Sequence, residues 1–412
     1  MTDPKPTLDR ADARVTHATG IAGSVVAFID RVKSGDLGSL PVIVGLAIIW
    51  TAFTVLNPIF LSPNNLVNLL FDCSTVGIIA LGIVCVLMLG EIDLSVGSMS
   101  GVGSTLIGVL WVNAGVPLPL AIAAALITGA LIGSFYATLR NRLGMPSFVS
   151  TLSGLLALLG LQLYLLGATG SINLPYSSGM VNFGQLLILP AWLSYLLCLL
   201  PGAVMLVVGL QTNTRRRLAN LSVGSQSGLI LRASLTTLCL LAVIFYLNLG
   251  RGVPWMFALF VALVLVMNYA LTRTQWGRSM KAVGGNAEAA RRAGINVRRI
   301  YISAFMLCSS FAALGGVLTS ARLASASQQA GTGDVNLNAI AAAVIGGTSL
   351  FGGRGSAFAA LLGIIVIQSI ANGLTLLNLS SSLRYMITGG VLAIAVIVDS
   401  LARQSRVSHG RA

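Results

Sequence analysis

Residues 86–98 read Val-Leu-Met-Leu-Gly-Glu-Ile-Asp-Leu-Ser-Val-Gly-Ser, two carboxylates and a run of small residues set between long apolar segments. Glu91 and Asp93 are two of only 11 acidic residues in the 412-residue chain. An ionised side chain at a bilayer centre costs about 2.5–3.5 kcal/mol on insertion scales, so such residues are usually functional. Working outward, apolar runs of about 18–25 residues recur, each enough to cross a ~30 Å hydrocarbon core as a helix. They are predicted at 39–56, 72–90, 95–113, 116–139, 146–167, 185–210, 229–249, 253–272, 300–321, 339–353, 355–376 and 385–401. The short Gly-rich tenth and the eleventh can form one folded-back element. The expected fold is all-α, a polytopic integral membrane protein of about 10–12 transmembrane helices with broken or re-entrant segments.

The chain is 56% hydrophobic and 9% charged, against roughly 25% charged in a soluble domain. A net charge of +14 raises nucleic acid as a partner, but its distribution points to a lipid bilayer and no nucleic acid. Basic residues collect at 1–38, at Arg140 and Arg142, at Arg215–Arg217, in 273–299 and after 401; the stretches 57–71, 113–117 and 168–184 have none. By the positive-inside rule both termini are cytoplasmic. Arg251, Arg322 and Arg384 are single charges near outer ends, placed to snorkel or to contact a partner. The expected organisation is a cytosolic tail 1–38 with a mildly apolar 21–29 stretch, a transmembrane domain 39–401, and a cytosolic tail 402–412. Its largest polar insertion is the cytosolic segment 273–299, with seven Lys/Arg and one Glu.

Small residues recur four apart, as in Gly97 and Gly101 or Gly129 and Gly133, the spacing that lets helix backbones approach closely in lipid. Two interruptions go beyond packing: Gly90–Gly103, with Glu91, Asp93, Ser95 and Ser98, and Gly346–Ser356, with Thr348 and Ser349. Paired Gly-interrupted segments, one in each half, point to a midplane pathway built from broken helices, and their freed backbone groups need protein or water partners. Asp93 is read either as a cap or hinge lock for the helix starting near Leu94 or as a solute ligand. Glu91 lines the pathway or packs. Ser95 and Ser98 offer hydroxyls to a solute or bond back to their own helix. Thr348 and Ser349 are read as pathway-lining.

Catalytic chemistry finds no footing in the sequence. No Gly-x-x-x-x-Gly-Lys-[Ser/Thr] occurs, so any ATP-driven step needs another chain. The two histidines, His17 and His409, sit in the tails, which excludes a membrane-embedded Ser–His pair or a His-x-x-x-His metal site. The five cysteines lie in or beside apolar spans without metal-ligand spacing and read as packing residues. No catalytic residue, no metal site and no cofactor bound by this chain are expected.

Residues 277–295 read Gly-Arg-Ser-Met-Lys-Ala-Val-Gly-Gly-Asn-Ala-Glu-Ala-Ala-Arg-Arg-Ala-Gly-Ile. The pattern predicts a short helix after Gly284-Gly285-Asn286, with Asn286 as N-cap and termination at Gly294. It is either an ordinary basic loop or a docking element for a partner subunit. This segment, with Glu-Ile-Asp-Leu-Ser-Val-Gly-Ser (91–98), Pro-Ser-Phe-Val-Ser-Thr-Leu (146–152) and Ala-Ile-Ala-Ala-Ala-Val-Ile-Gly-Gly-Thr-Ser-Leu-Phe-Gly-Gly (339–353), resembles the permease subunits of bacterial sugar ABC importers, the ribose and xylose branch. Additional hydrophobic sequence between about 185 and 250, which ribose-type permeases lack, is similar to that of the D-xylose permeases.

The resemblance implies a homodimer in the bacterial inner membrane, cytosolic ATPase subunits holding ATP-Mg, and a periplasmic sugar-binding protein. The substrate would be a monosaccharide, D-xylose by the closest likeness. It assigns ATPase coupling to Gly284, Gly285, Asn286, Glu288, Ala289, Ala290 and Gly294. Rival readings are an ion-coupled sugar symporter using Glu91 or Asp93, and a membrane scaffold that moves no solute. The chain departs from the family where acids usually precede Ala339-Ile340, carrying Asn336 and Asn338 instead. It also departs in the basic flank of Glu288, at Arg291 and Arg292.

Overall fold

The structure, a computed structural model, describes residues 40–391 together with positions 393 and 397. The expected tails 1–38 and 402–412, the 21–29 stretch and most of the 385–401 span past 391 lie outside the described residues. In chain order the helices are α1 (Leu40–Leu56), α2 (Pro63–Leu87), α3 (Val96–Leu106, continued as a π-helical stretch Ile107–Asn113), α4 (Leu118–Leu143), α5 (Ser147–Leu166) and α6 (Gly179–Gln185). There follow α7 (Ala191–Leu218), α8 (Gln226–Asn248), α9 (Trp255–Arg273), α10 (Gln275–Gly285), α11 (Ala287–Arg292), α12 (Val297–Leu323), α13 (Val335–Ile345) and α14 (Ala357–Leu376). Among the described residues nine of these are long and apolar enough to cross a membrane, while α1, over Val42–Leu56, and α13 are shorter apolar helices. The chain is an all-α polytopic membrane protein.

The predicted spans agree with the helices in order, with displaced boundaries at α2, at α7, which runs Ala191–Leu218 against the expected 185–210, and at α13, which ends at Ile345 against the expected 353. α2 starts at Pro63 rather than near 72, with Ser62 accepting a bond from the Asn65 amide at 3.4 Å. Asn64, Asn65, Asn68 and Asp72 dilute the hydropathy of its first turns, whereas a serine cap followed by proline marks the helix start.

The described residues fall into two compact units. In the larger, Ser39–Ile188 with Pro254–Gln404, α12 is a central buried post. Gly133 and Gly129 of α4 lie against the backbone carbonyls of Phe305 and Ser309, Gly103 of α3 against that of Ala313, and Gly82 of α2 against that of Cys308. The Gly129 and Gly133 spacing thus does pack helix on helix, at contacts where a Cβ would not fit, while Gly97 and Gly101 meet the non-helical backbone at Gly331 and Ala330. The folded-back element is also present: α13 and α14 are antiparallel neighbours around a loop at 346–356, with Gly363 against the Ala342 carbonyl and Gly346 against that of Ala359.

Between α12 and α13 the chain is not helical. It makes a short strand β2 (Ser325–Ser327) antiparallel to β1 (Ser171–Asn173), with Ile172 opposite Ala326. The following stretch runs beside α3, where Gly331 meets the backbone of Gly97. Buried backbone outside a helix must be satisfied from within the protein. Gln162, fully buried on α5, donates to the Ser327 and Ala330 carbonyls, both at 3.0 Å.

The smaller unit, Leu189–Val253, is the α7–α8 hairpin and corresponds to the additional hydrophobic sequence. Its helices approach where Gly202 meets Thr237 and Gly209 meets Leu229, and Asn248 donates to Ser194 Oγ at 3.2 Å.

Candidate functional site

The first interruption begins where α2 ends. Gly90 takes a left-handed φ of +74°, and the chain turns through Glu91–Ser95 before α3. Glu91 Oε1 pairs with Arg140 Nε at 2.5 Å. Arg140 sits in the last turn of α4, where a cation also meets the favourable end of the helix dipole. Its guanidinium carbon lies 3.4 Å from the centroid of the Tyr301 ring on α12. Glu91 therefore ties the turn to two neighbouring helices through one arginine.

Asp93 is fully buried, and one oxygen, Oδ1, accepts from both the Ser95 amide (2.8 Å) and the Ser95 hydroxyl (2.7 Å). Its other oxygen, Oδ2, has no hydrogen-bond partner. The carboxylate closes a tight turn at the entry to α3, with its side chain competing locally for a backbone donor. Leu94 is held from two sides. Its amide donates to Thr151 Oγ1 of α5 at 3.1 Å, and its carbonyl accepts from Asn336 Nδ2 of α13. Thr151 belongs to the Pro-Ser-Phe-Val-Ser-Thr-Leu stretch and Asn336 is one of the two asparagines before Ala339-Ile340. The other, Asn338, donates to Asp334 Oδ2 at 2.9 Å. Ser95 and Ser98 are buried.

In the second interruption Thr348 is fully buried, its amide bonded to the Ala343 carbonyl at 3.0 Å and its hydroxyl without a partner. Ser349 closes its own loop: its hydroxyl accepts from the Phe351 amide at 3.2 Å, and its amide donates to the Arg354 carbonyl at 3.1 Å.

The basic segment folds as two short helices. α10 is seated by Trp276, whose Nε1 donates to Ser303 Oγ of α12 at 2.8 Å. Asn286 caps α11, accepting from the Ala289 amide at 2.9 Å, and Gly294 ends it at a φ of +84°, both as the spacing predicted. Ala290 turns inward, while Glu288, Ala289, Arg291 and Arg292 are exposed. Glu288 reaches Arg291 at 2.5 Å and Arg292 at 3.3 Å, so its charge is engaged along its own helix. The end of α10 also meets both interruptions: Gly284 lies against the Met88 carbonyl, and Gly353 donates to that same carbonyl at 2.8 Å.

The sequence reading missed an ion pair between two helices. Asp72 Oδ1 on α2 meets Arg322 Nε on α12 at 2.9 Å, and the guanidinium carbon lies 5.0 Å from the Phe71 ring centroid. The available signal was an acid inside one apolar run and a lone arginine at the end of another. Among the described residues no cluster of His, Cys, Asp or Glu could hold a metal ion.

A protein family described as "Branched-chain amino acid transport system / permease component" matches residues 65–396, which include both interruptions and the α10–α11 segment. The chain belongs to this permease family. The permease is 37% identical to the xylose transport system permease protein XylH of Escherichia coli K12 over 350 residues, 84% of this chain and 87% of that protein. It is 34% identical to XylH of Haemophilus influenzae over 378 residues, 90% of this chain and 98% of that one. The ribose import permease protein RbsC of Escherichia coli K12 is 30% identical over 364 residues, 87% of this chain and 92% of RbsC. No solved structure matches. These relatives bear out the reading of the permease as the membrane-spanning subunit of a sugar importer of the ABC type, a multi-pass protein of the inner membrane, and do not favour the symporter or scaffold readings.

Proposed function

We propose that this permease carries D-xylose into the cytoplasm as a homodimer, driven by a separate cytosolic ATPase that holds ATP-Mg and supplied by a periplasmic sugar-binding protein. The observation that carries the sugar is the 37% identity to XylH over 84% of the chain. Both termini are cytoplasmic in this reading, which rests on the alternation of basic and base-free loops. The segment 273–299 seats in the ATPase through α11, whose exposed face carries Glu288, Ala289, Arg291 and Arg292.

The site residues divide by their surroundings. Glu91, Asp93 and Ser95 hold the turn at the first interruption, since Glu91 is engaged with Arg140 and Asp93 Oδ1 with Ser95. Thr348 is a candidate for contact with the passing sugar, its buried hydroxyl having no protein partner. A buried polar group without a partner costs about 1–3 kcal/mol, and a pathway with water or sugar beside it removes that cost.

The test is radiolabelled xylose uptake by cells lacking their own xylose permeases, supplied with this chain and its cognate ATPase and binding protein. Uptake that unlabelled xylose suppresses and ribose does not supports the reading. Uptake suppressed by ribose and not by xylose contradicts the assigned sugar.

A further inference from the structure

Three segments far apart in sequence meet backbone to backbone: the end of α2 at Met88–Gly90, the end of α10 at Gly284–Gly285, and the 346–356 loop at Gly352–Gly353. The Gly353 amide donates to the Met88 carbonyl at 2.8 Å. A Cβ added to Gly284 would collide with that carbonyl and stand 2.7 Å from the Gly353 nitrogen. One added to Gly352 would lie 2.6 Å from the Gly284 carbonyl oxygen and 2.9 Å from the Gly90 nitrogen. Gly90, Gly352 and Gly353 all take left-handed φ values, +74°, +82° and +74°. At these contacts backbone meets backbone with no side chain between, so a displacement there is not absorbed by a change of rotamer. Packed interiors transmit strain rather than deform smoothly.

We propose that this glycine junction is the relay of the transport cycle: it moves as one body, passing displacement of the α10–α11 segment to both helix interruptions at once. Gly284 is the positioning residue of that relay. α10 runs directly into the Asn286 cap of α11, so a push on α11 reaches Gly284 along a single helix end. From there the first interruption carries it toward Asp93 and α3, and the second toward Thr348 and α14. The inference rests on the reading of the chain as an ATPase-driven importer.

The test uses the complete transporter in proteoliposomes, measuring sugar accumulated and ATP hydrolysed in the same sample. Gly284→Ala forces the segments apart by about 1 Å. Sugar moved per ATP is expected to fall about tenfold, with the ATPase still bound and hydrolysing. Gly160→Ala, where an added Cβ meets nothing within 4 Å, keeps the ratio of the unmodified transporter. If uptake by the unmodified transporter is independent of ATP, the importer reading fails. If it depends on ATP and Gly284→Ala keeps the same sugar-to-ATP ratio, the relay fails.

Should Gly284→Ala not assemble, spin labels on Ala282→Cys and Arg354→Cys in a Cys239→Ala background decide, both positions being exposed. An unchanged distance between ATP-free and ATP-trapped complexes supports a rigid junction. A change of about one helical turn, ~5 Å, means the segments slide past each other and overturns the relay.

Discussion

Asn336 gives the most direct test of how the first interruption is held. Its side-chain amide donates to the Leu94 carbonyl, while its own buried oxygen has no donor. Asn336→Asp keeps the shape and removes the donor, leaving a carboxylate oxygen facing a carbonyl oxygen. An unsatisfied buried carbonyl alone costs about 1–3 kcal/mol, and the like-signed dipole and charge add to it. Each kcal/mol moves the melting midpoint of a 150–250-residue domain by about 2–4 °C, and less for a longer chain. The expected fall is therefore about 2–6 °C for Asn336→Asp, with Asn336→Ala intermediate. A thiol-reactive dye reads unfolding directly, because Cys73, Cys85, Cys198 and Cys308 are buried and only the exposed Cys239 contributes a baseline. Protonating the new carboxyl restores a donor, so the deficit shrinks as pH falls. Asn336→Asp melting within about 1 °C of the unmodified protein at neutral pH would refute the role assigned to this bond.

Arg140→Ala strands Glu91 in a site only 15% exposed, whereas Glu91→Ala leaves Arg140 its Tyr301 ring, so the arginine variant is expected to melt lower in the same assay. A double-mutant cycle of Asp72→Asn and Arg322→Gln is expected to give a coupling energy above the ~0.2–1 kcal/mol of exposed pairs, read from the four melting curves. Asn286→Ala removes the α11 cap at a cost of about 1 kcal/mol and weakens ATPase binding by about fivefold in a pull-down titration, while Asn286→Ser restores it. Replacing the α7–α8 hairpin with a short Gly/Ser linker leaves a folded, monodisperse protein by size exclusion. The larger unit closes that gap itself: Trp255 donates to the Leu187 carbonyl at 3.1 Å, and Ile188 bridges Pro254.

The fold was legible wherever one local rule decided it. Apolar length placed the spans, glycine spacing named the surfaces that α4 offers to α12, and Asn286 with Gly294 bounded α11. The boundary of α2 was misplaced because its first turns carry Asn64, Asn65, Asn68 and Asp72, two of which meet other elements: Asn65 bonds Asn372 of α14 at 2.8 Å and Asp72 pairs with Arg322 of α12. The site was legible as a set of motifs and not as an arrangement. Nothing local in Gly284, Met88 or Gly353 says that they touch, nor that the amide of Asn336 rather than a carboxylate suits the Leu94 carbonyl. Those facts depend on how α10, α13 and the loop before α14 pack, which is long-range. Asp72 and Arg322 were each visible, but pairing them required knowing that α2 lies against α12.

An ABC-type importer subunit moves sugar only as part of a machine that includes its ATPase and binding protein. The decisive measurement is xylose accumulation in proteoliposomes containing this permease, with and without its ATPase and binding protein, ATP being supplied on the ATPase side. Accumulation that needs all three proteins and stops with a non-hydrolysable analogue is the predicted result. Accumulation by the permease alone under a proton gradient would contradict it and turn attention to the buried carboxylate of Asp93.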